Sequence, residues 1–177
     1  TTENFTATLS QVAPQIWTEK ASGDWPAAFQ GEGAQGTSGV VAAVQNGSGT
    51  IGYADVSGIA EGMSTASYSL DGKADYVGPT AEAAAQIVEA SEKVAGRAAN
   101  DWTLELNRTA AGYPFVLVSY AIVCQEYADP AIGELVNAYV SYVASDEGQL
   151  AAVPQAGNAP LTGDLANGVR AAAATIK

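Results

Sequence analysis

The sequence has no histidine. That absence removes the commonest general base, the usual imidazole ligand of zinc and any Ser-His-Asp triad. Positive charge is also scarce, with 7 Lys and Arg against 19 Asp and Glu and a net charge of -12. Such a surface repels nucleic acid and anionic membranes, and both are set aside as partners. A small anion is not set aside, because direct hydrogen bonds in a compact site outweigh the global field. No apolar run approaches the length of a membrane span. Cysteine occurs once, as Cys124 within an apolar stretch. It reads either as a buried small hydrophobe or as half of a disulfide whose partner lies on a part of the protein outside these residues. Residue 1 is Thr and no signal peptide precedes it, so a processed, cloned or clipped start is expected.

Apolar residues make up 47% of 177 positions, enough for a core in one ordinary domain or two small lobes. Phe5, Leu9, Val12 and Ile16 recur at helical spacing, and Pro14 should kink or end that helix. Residues 18–39 read as a Gly-rich loop, followed by a helix over about 38–46 that stops at Asn46-Gly47. Residues 50–56 read as a buried strand, and 65–70 with 73–77 as a hairpin about Asp71-Gly72. Pro79 and Thr80 open a helix over roughly 81–95, with Ser91 the one polar member of its buried stripe. Trp102, Leu104 and Leu106 alternate as in a half-exposed strand, and 113–124 reads as a strand buried on both faces. Asp129-Pro130 is a strong helix start, and Leu135, Val136, Tyr139, Val140 and Val143 should line the helix that follows. A shorter helix is expected over 146–153, and Thr162 should cap a last one bearing Leu165, Val169, Ala172 and Ile176. Strands alternating with helices make the class α/β.

The stretch GEGAQG places Gly31, Gly33 and Gly36 at the spacing of the dinucleotide fingerprint, with Asp55 where a ribose-binding acid would fall. Against a cofactor, Pro26 spoils the strand that should precede the first glycine, and Glu32 sets a carboxylate where a pyrophosphate would pack. The alternative is a tight loop leading into a helix capped by Thr37 or Ser38. Asp71 and Asp75 read as solvated turn acids rather than a catalytic pair. Asn4, Asn46 and Asn107 stand in glycosylation sequons short enough to arise by chance. Arg97 and Arg108 read as surface residues. Thr1 and Thr2 stand where a helix begins, an arrangement that serves either ordinary capping or an anion.

Several stretches taken together resemble the phosphate-binding protein of the bacterial ABC phosphate importer. They are TTENFTATLSQVAPQIW, the run GEGAQGTSGVVAAVQNGSGTIGYADVSGIAEG, then YPFVLVSYAIVC and EGQLAAVPQAGNAPL. The resemblance covers the later part of such a protein. It implies two α/β lobes of the periplasmic-binding-protein type, closing on one phosphate by a hinge. Residues 1–112 would belong to the second lobe, and 113–177 would cross back and complete the first. Family members carry an Arg followed closely by Ser-Gly-Thr, of which this chain carries only the Thr, so by the resemblance Thr1 takes the place of the phosphate-binding Thr. The aspartate that discriminates phosphate from sulfate has no counterpart here. The implied partners are inorganic phosphate, the permease subunits of the transporter and the N-terminal half of the same protein. The implied location is extracytoplasmic, with no catalysis, cofactor or metal. By the same resemblance the glycines of GEGAQG are structural. A binding subunit for another oxyanion, or an oxidoreductase using Gly31, Gly33 and Gly36, is the alternative.

Overall fold

The computed structural model describes residues 1–177. Helix α1 (Thr2–Val12) ends just before Pro14, as a proline without an amide hydrogen requires. The chain then turns, and Trp17 donates its backbone N–H to Ala13 O at 2.8 Å. This turn lays Trp17 flat on Phe29, with ring centroids 4.6 Å apart and planes 8° from parallel. Helix α2 (Gly36–Asn46) starts at Gly36, whose φ of +68° suits glycine. Its N-cap is Gln35 and no side chain caps it. The expected cap by Thr37 or Ser38 is therefore corrected: the helix starts earlier, and Thr37 Oγ1 donates instead to Asp55 Oδ2 at 3.0 Å.

Helix α3 (Ala81–Glu89) is capped by Thr80, whose hydroxyl accepts from Ala83 N at 3.2 Å. It is shorter than expected. Residues Glu92–Lys93 leave it to form β1, antiparallel to β2 (Leu104–Glu105) in a two-stranded ladder. Ser91 closes the gap, donating to Ile87 O at 2.7 Å and accepting from Asn107 N at 2.9 Å. Ile87 is 0% exposed. Gly112 packs directly over this helix at φ +129°, and a Cβ there would lie 2.5 Å from Ala83 O.

The C-terminal third is a set of three helices. Asp129 caps α4 (Pro130–Ala144) through Ala131 N at 2.9 Å, with Pro130 in the first turn. Ser145 caps α5 (Asp146–Ala156), which ends in the left-handed Gly157. Helix α6 (Gly163–Ala173) returns along α4. Small residues let the two approach, with Ala144, Ala166 and Ala173 buried. Asn137 donates to Ala173 O and Ile176 O at 3.3 and 3.0 Å, satisfying carbonyls at the end of α6. Arg170 Nε does the same for Ala144 O at 2.9 Å.

The expected strands are where sequence and structure part. Residues 50–56 form no strand, and Ile51 is 87% exposed. The expected hairpin is reduced to a single bridge between Tyr68 and Val77. Residues 113–124, expected to be buried on both faces, pair with nothing. Gly112, Pro114 and Val116 are buried, but cover is lost from Leu117 onward and Ile122 is 93% exposed. Helix α4 has the same character. Val136, Asn137 and Val140 are partly covered, whereas Ile132, Leu135, Tyr139, Tyr142 and Val143 form a bare stripe. A helix apolar on two sides is one that packs on two sides. The accessible surface is 11540 Å², against roughly 8,000 Å² for a compact monomer of 17.9 kDa. A strand needs a neighbour to bond with, and the described residues contain none for these segments.

Candidate anion-binding site at the start of the first helix

Thr1 is the N-cap of α1, and its hydroxyl makes no capping bond. Its carbonyl already accepts from Phe5 N at 3.0 Å, so the first helical turn is closed. The N–H groups of that turn have no carbonyl partner within the helix. They and the free hydroxyl lie at the positive end of the helix dipole, a geometry suited to an anion. Thr2 is used differently: its Oγ1 lies 2.9 Å from the Tyr53 hydroxyl.

An aromatic wall fixes this turn. Phe5 stacks on Tyr53 with centroids 4.2 Å apart and planes at 14°, and on Phe115 at 5.3 Å. Trp25 stands 6.0 Å from Tyr53 and continues the wall toward Trp17 and Phe29. Tyr53 belongs to the segment expected to be a strand. It is placed by stacking instead of by sheet pairing.

Beneath the turn lies Arg108, and its expected surface position is corrected. The residue is 5% exposed. Its Nη1 donates to Thr8 Oγ1 at 2.7 Å, to Pro114 O at 2.8 Å and to Val116 O at 3.2 Å, and its Nη2 to Asn4 Oδ1 at 2.6 Å. Burial lowers its pKa from the ordinary arginine value. Every one of these acceptors is neutral. The two salt bridges of the chain, Arg97–Asp101 and Arg170–Asp146, lie elsewhere. Neither Tyr53 nor Arg108 carries a local sequence signal for its place against α1, since Thr2 is 51 residues from Tyr53, and Thr8 and Asn4 are 100 and 104 residues from Arg108.

The other candidates resolve into structural roles. Gly31 abuts Trp25, where a Cβ would lie 3.2 Å from the indole nitrogen, whereas Gly33 faces open space. No strand precedes Gly31, so the fingerprint lacks the setting that positions a pyrophosphate. Asp71 Oδ1 accepts from Lys73 N at 2.8 Å, Ala74 N at 3.2 Å and Ser69 Oγ at 2.9 Å. The backbone bonds from Lys73 and Ala74, then Ser69, hold its pKa below the usual carboxylate value. Asp75 adopts φ 53° in the same turn. Cys124 is exposed and unpaired within these 177 residues, which by themselves neither bury nor pair it. No group of three or more Cys, Asp and Glu gathers as a metal site. No helix is long and apolar enough to cross a membrane.

Residues 1–147 match the family described as the PBP superfamily domain, and the chain belongs to that superfamily. Among curated relatives, the chain is 30% identical over 146 residues to Phosphate-binding protein PstS 3 of Mycobacterium tuberculosis. It is 31% identical over 150 residues to the protein of the same name from Mycobacterium leprae. Phosphate-binding protein PstS 2 of Mycobacterium tuberculosis is 30% identical over 146 residues. In each case 79% of this chain is covered, and it spans 39% of the relative's length. No solved structure matches. The regular structure is helical apart from one two-stranded ladder, which is consistent with a partial α/β domain of that superfamily.

Proposed function

We propose that this chain is the C-terminal portion of an extracytoplasmic phosphate-binding protein. It captures inorganic phosphate and delivers it to the permease subunits of an ABC importer, with no bond made or broken. The relatives, phosphate-binding proteins by name, support the ligand. The observation that carries the reading for this chain is the first turn of α1, with its free Thr1 hydroxyl and uncommitted N–H groups. In this reading residues 1–112 belong to the second of two lobes. Residues 113–177 cross back and complete the first, and the two lobes close on the anion. The N-terminal half of the same protein then covers 117–124 and the bare stripe of α4. The chain exposes about 3,500 Å² beyond a compact monomer of its mass, surface that a covering half would in part bury.

Titration calorimetry on the full-length protein tests this, with phosphate, sulfate, molybdate and NAD as ligands. Phosphate alone should bind tightly. Thr1→Val keeps the shape and removes one hydroxyl donor, and should weaken phosphate binding roughly tenfold, from about 1.5 kcal/mol lost. Preferential binding of molybdate or sulfate would favour a subunit for another oxyanion. Tight binding of NAD with indifference to phosphate would overturn the reading.

A further inference from the structure

We propose that Arg108 is a positioning residue of the anion site, holding the first turn of α1 against 114–116 and setting a buried positive charge beneath it. The inference rests on the reading of that turn as the phosphate site.

Seven cations serve a chain with 19 acids, and this one is buried among neutral acceptors. A guanidinium taken out of water without a carboxylate is costly, and a neutral side chain could bridge some of the same oxygens. What a neutral substitute lacks is charge. Glu3, the acid of the first turn, is exposed and makes no bond to Arg108. The missing counter-charge is supplied when a small anion docks at the helix start. Thr1, Asn4 and Thr8 share one helical face, and Asn4 lies about 4.5 Å along the axis from Thr1. Arg108 grips that face at Asn4 and Thr8 and fastens it to the carbonyls of Pro114 and Val116. Rotation of the turn that bears Thr1 would break these bonds together. A planar fork with several donors does this, and an ammonium cannot reach all four acceptors.

The test compares wild type with Thr1→Val, Asn4→Ala, Arg108→Lys and Arg108→Met in the full-length protein. Phosphate dissociation constants and ligand-free melting temperatures are measured for each. Phosphate binding should weaken about threefold in N4A, about fivefold in R108K and about twentyfold or more in R108M. The combination of T1V with N4A should depart from the product of the single effects by more than about twofold, because both act on one turn. A merely structural Arg108 would lower the melting temperature and leave the constant of the folded protein unmoved. If R108M does not fold, N4A and R108K decide. Should wild type bind phosphate and T1V weaken it while N4A and R108K stay within about twofold of wild type, this inference fails alone. A wild-type protein indifferent to phosphate refutes both this inference and the phosphate reading.

Discussion

Replacing Gly112 by alanine should be among the most damaging single-methyl changes available to this chain. Three penalties fall on one atom. The backbone φ of +129° lies where L-residues rarely go, at a cost of order 1–3 kcal/mol. The new Cβ would sit 2.5 Å from Ala83 O, and 3.1 and 3.2 Å from Gln86 and Ile87, so α3 must retreat. Overpacking of that kind costs about 1–3 kcal/mol. Retreat also stretches the bond from Tyr113 N to Ala83 O, now 3.0 Å and worth about 0.5–1.5 kcal/mol net. Together these give about 3 kcal/mol or more. Urea unfolding of the full-length protein, followed by tryptophan fluorescence, should show the midpoint falling by about 1 M or more. Gly33→Ala is the control, since a Cβ there meets nothing and φ is ordinary. A Gly112→Ala protein as stable as the control would refute the close packing of 112–116 on α3.

Ser38→Ala should leave stability within about 0.5 kcal/mol of wild type, because no side chain caps α2; a loss near 1 kcal/mol in the same urea assay would restore Ser38 as the cap. Asp101 has its pKa lowered chiefly by the Thr103 hydroxyl and backbone N–H, with Arg97 a lesser cause. A depressed folded value means the stabilisation is complete above the ordinary carboxylate range and is lost as pH falls through that folded value. Carboxylate NMR shifts should show Asp101 protonating below its exposed neighbours, and an ordinary titration would contradict the geometry. Cys124 should react quickly with a thiol reagent in the 177-residue chain and slowly in the full-length protein; equal rates would mean the N-terminal half does not cover 117–124.

The helices were largely legible because their signals are local. Thr80, Asp129-Pro130 and the glycine after Asn46 each act within one turn of the residue that carries them. The strands were not, because a strand's evidence is its partner. Tyr113 to Val116 keep the character of a covered strand while they lie on α3 and α1, and the same apolar run loses it at Leu117, where the described residues stop supplying neighbours. At the candidate site, Thr1 is proposed from the helix start and the resemblance. Tyr53 and Arg108 could not be, since a phenol stacked on Phe5 and a guanidinium bonded to Asn4 and Thr8 on a distant helix leave no pattern in the local sequence.

The bare run of 117–124 and the stripe on α4 bear on how such a protein is made. Ribosomes deliver the N-terminal half first, and the segments that would complete its lobe are synthesised last. Under the two-lobe reading, neither half can finish folding while translation is under way. The nascent chain would stay open and translocatable until its final helices emerge. Its exposed aliphatic and tyrosine surface is then a chaperone-binding and aggregation hazard for as long as closure takes. Contacts between chain segments so far apart in sequence also form slowly. Under that reading, a carrier exported unfolded would gain time from the same layout that leaves these segments bare.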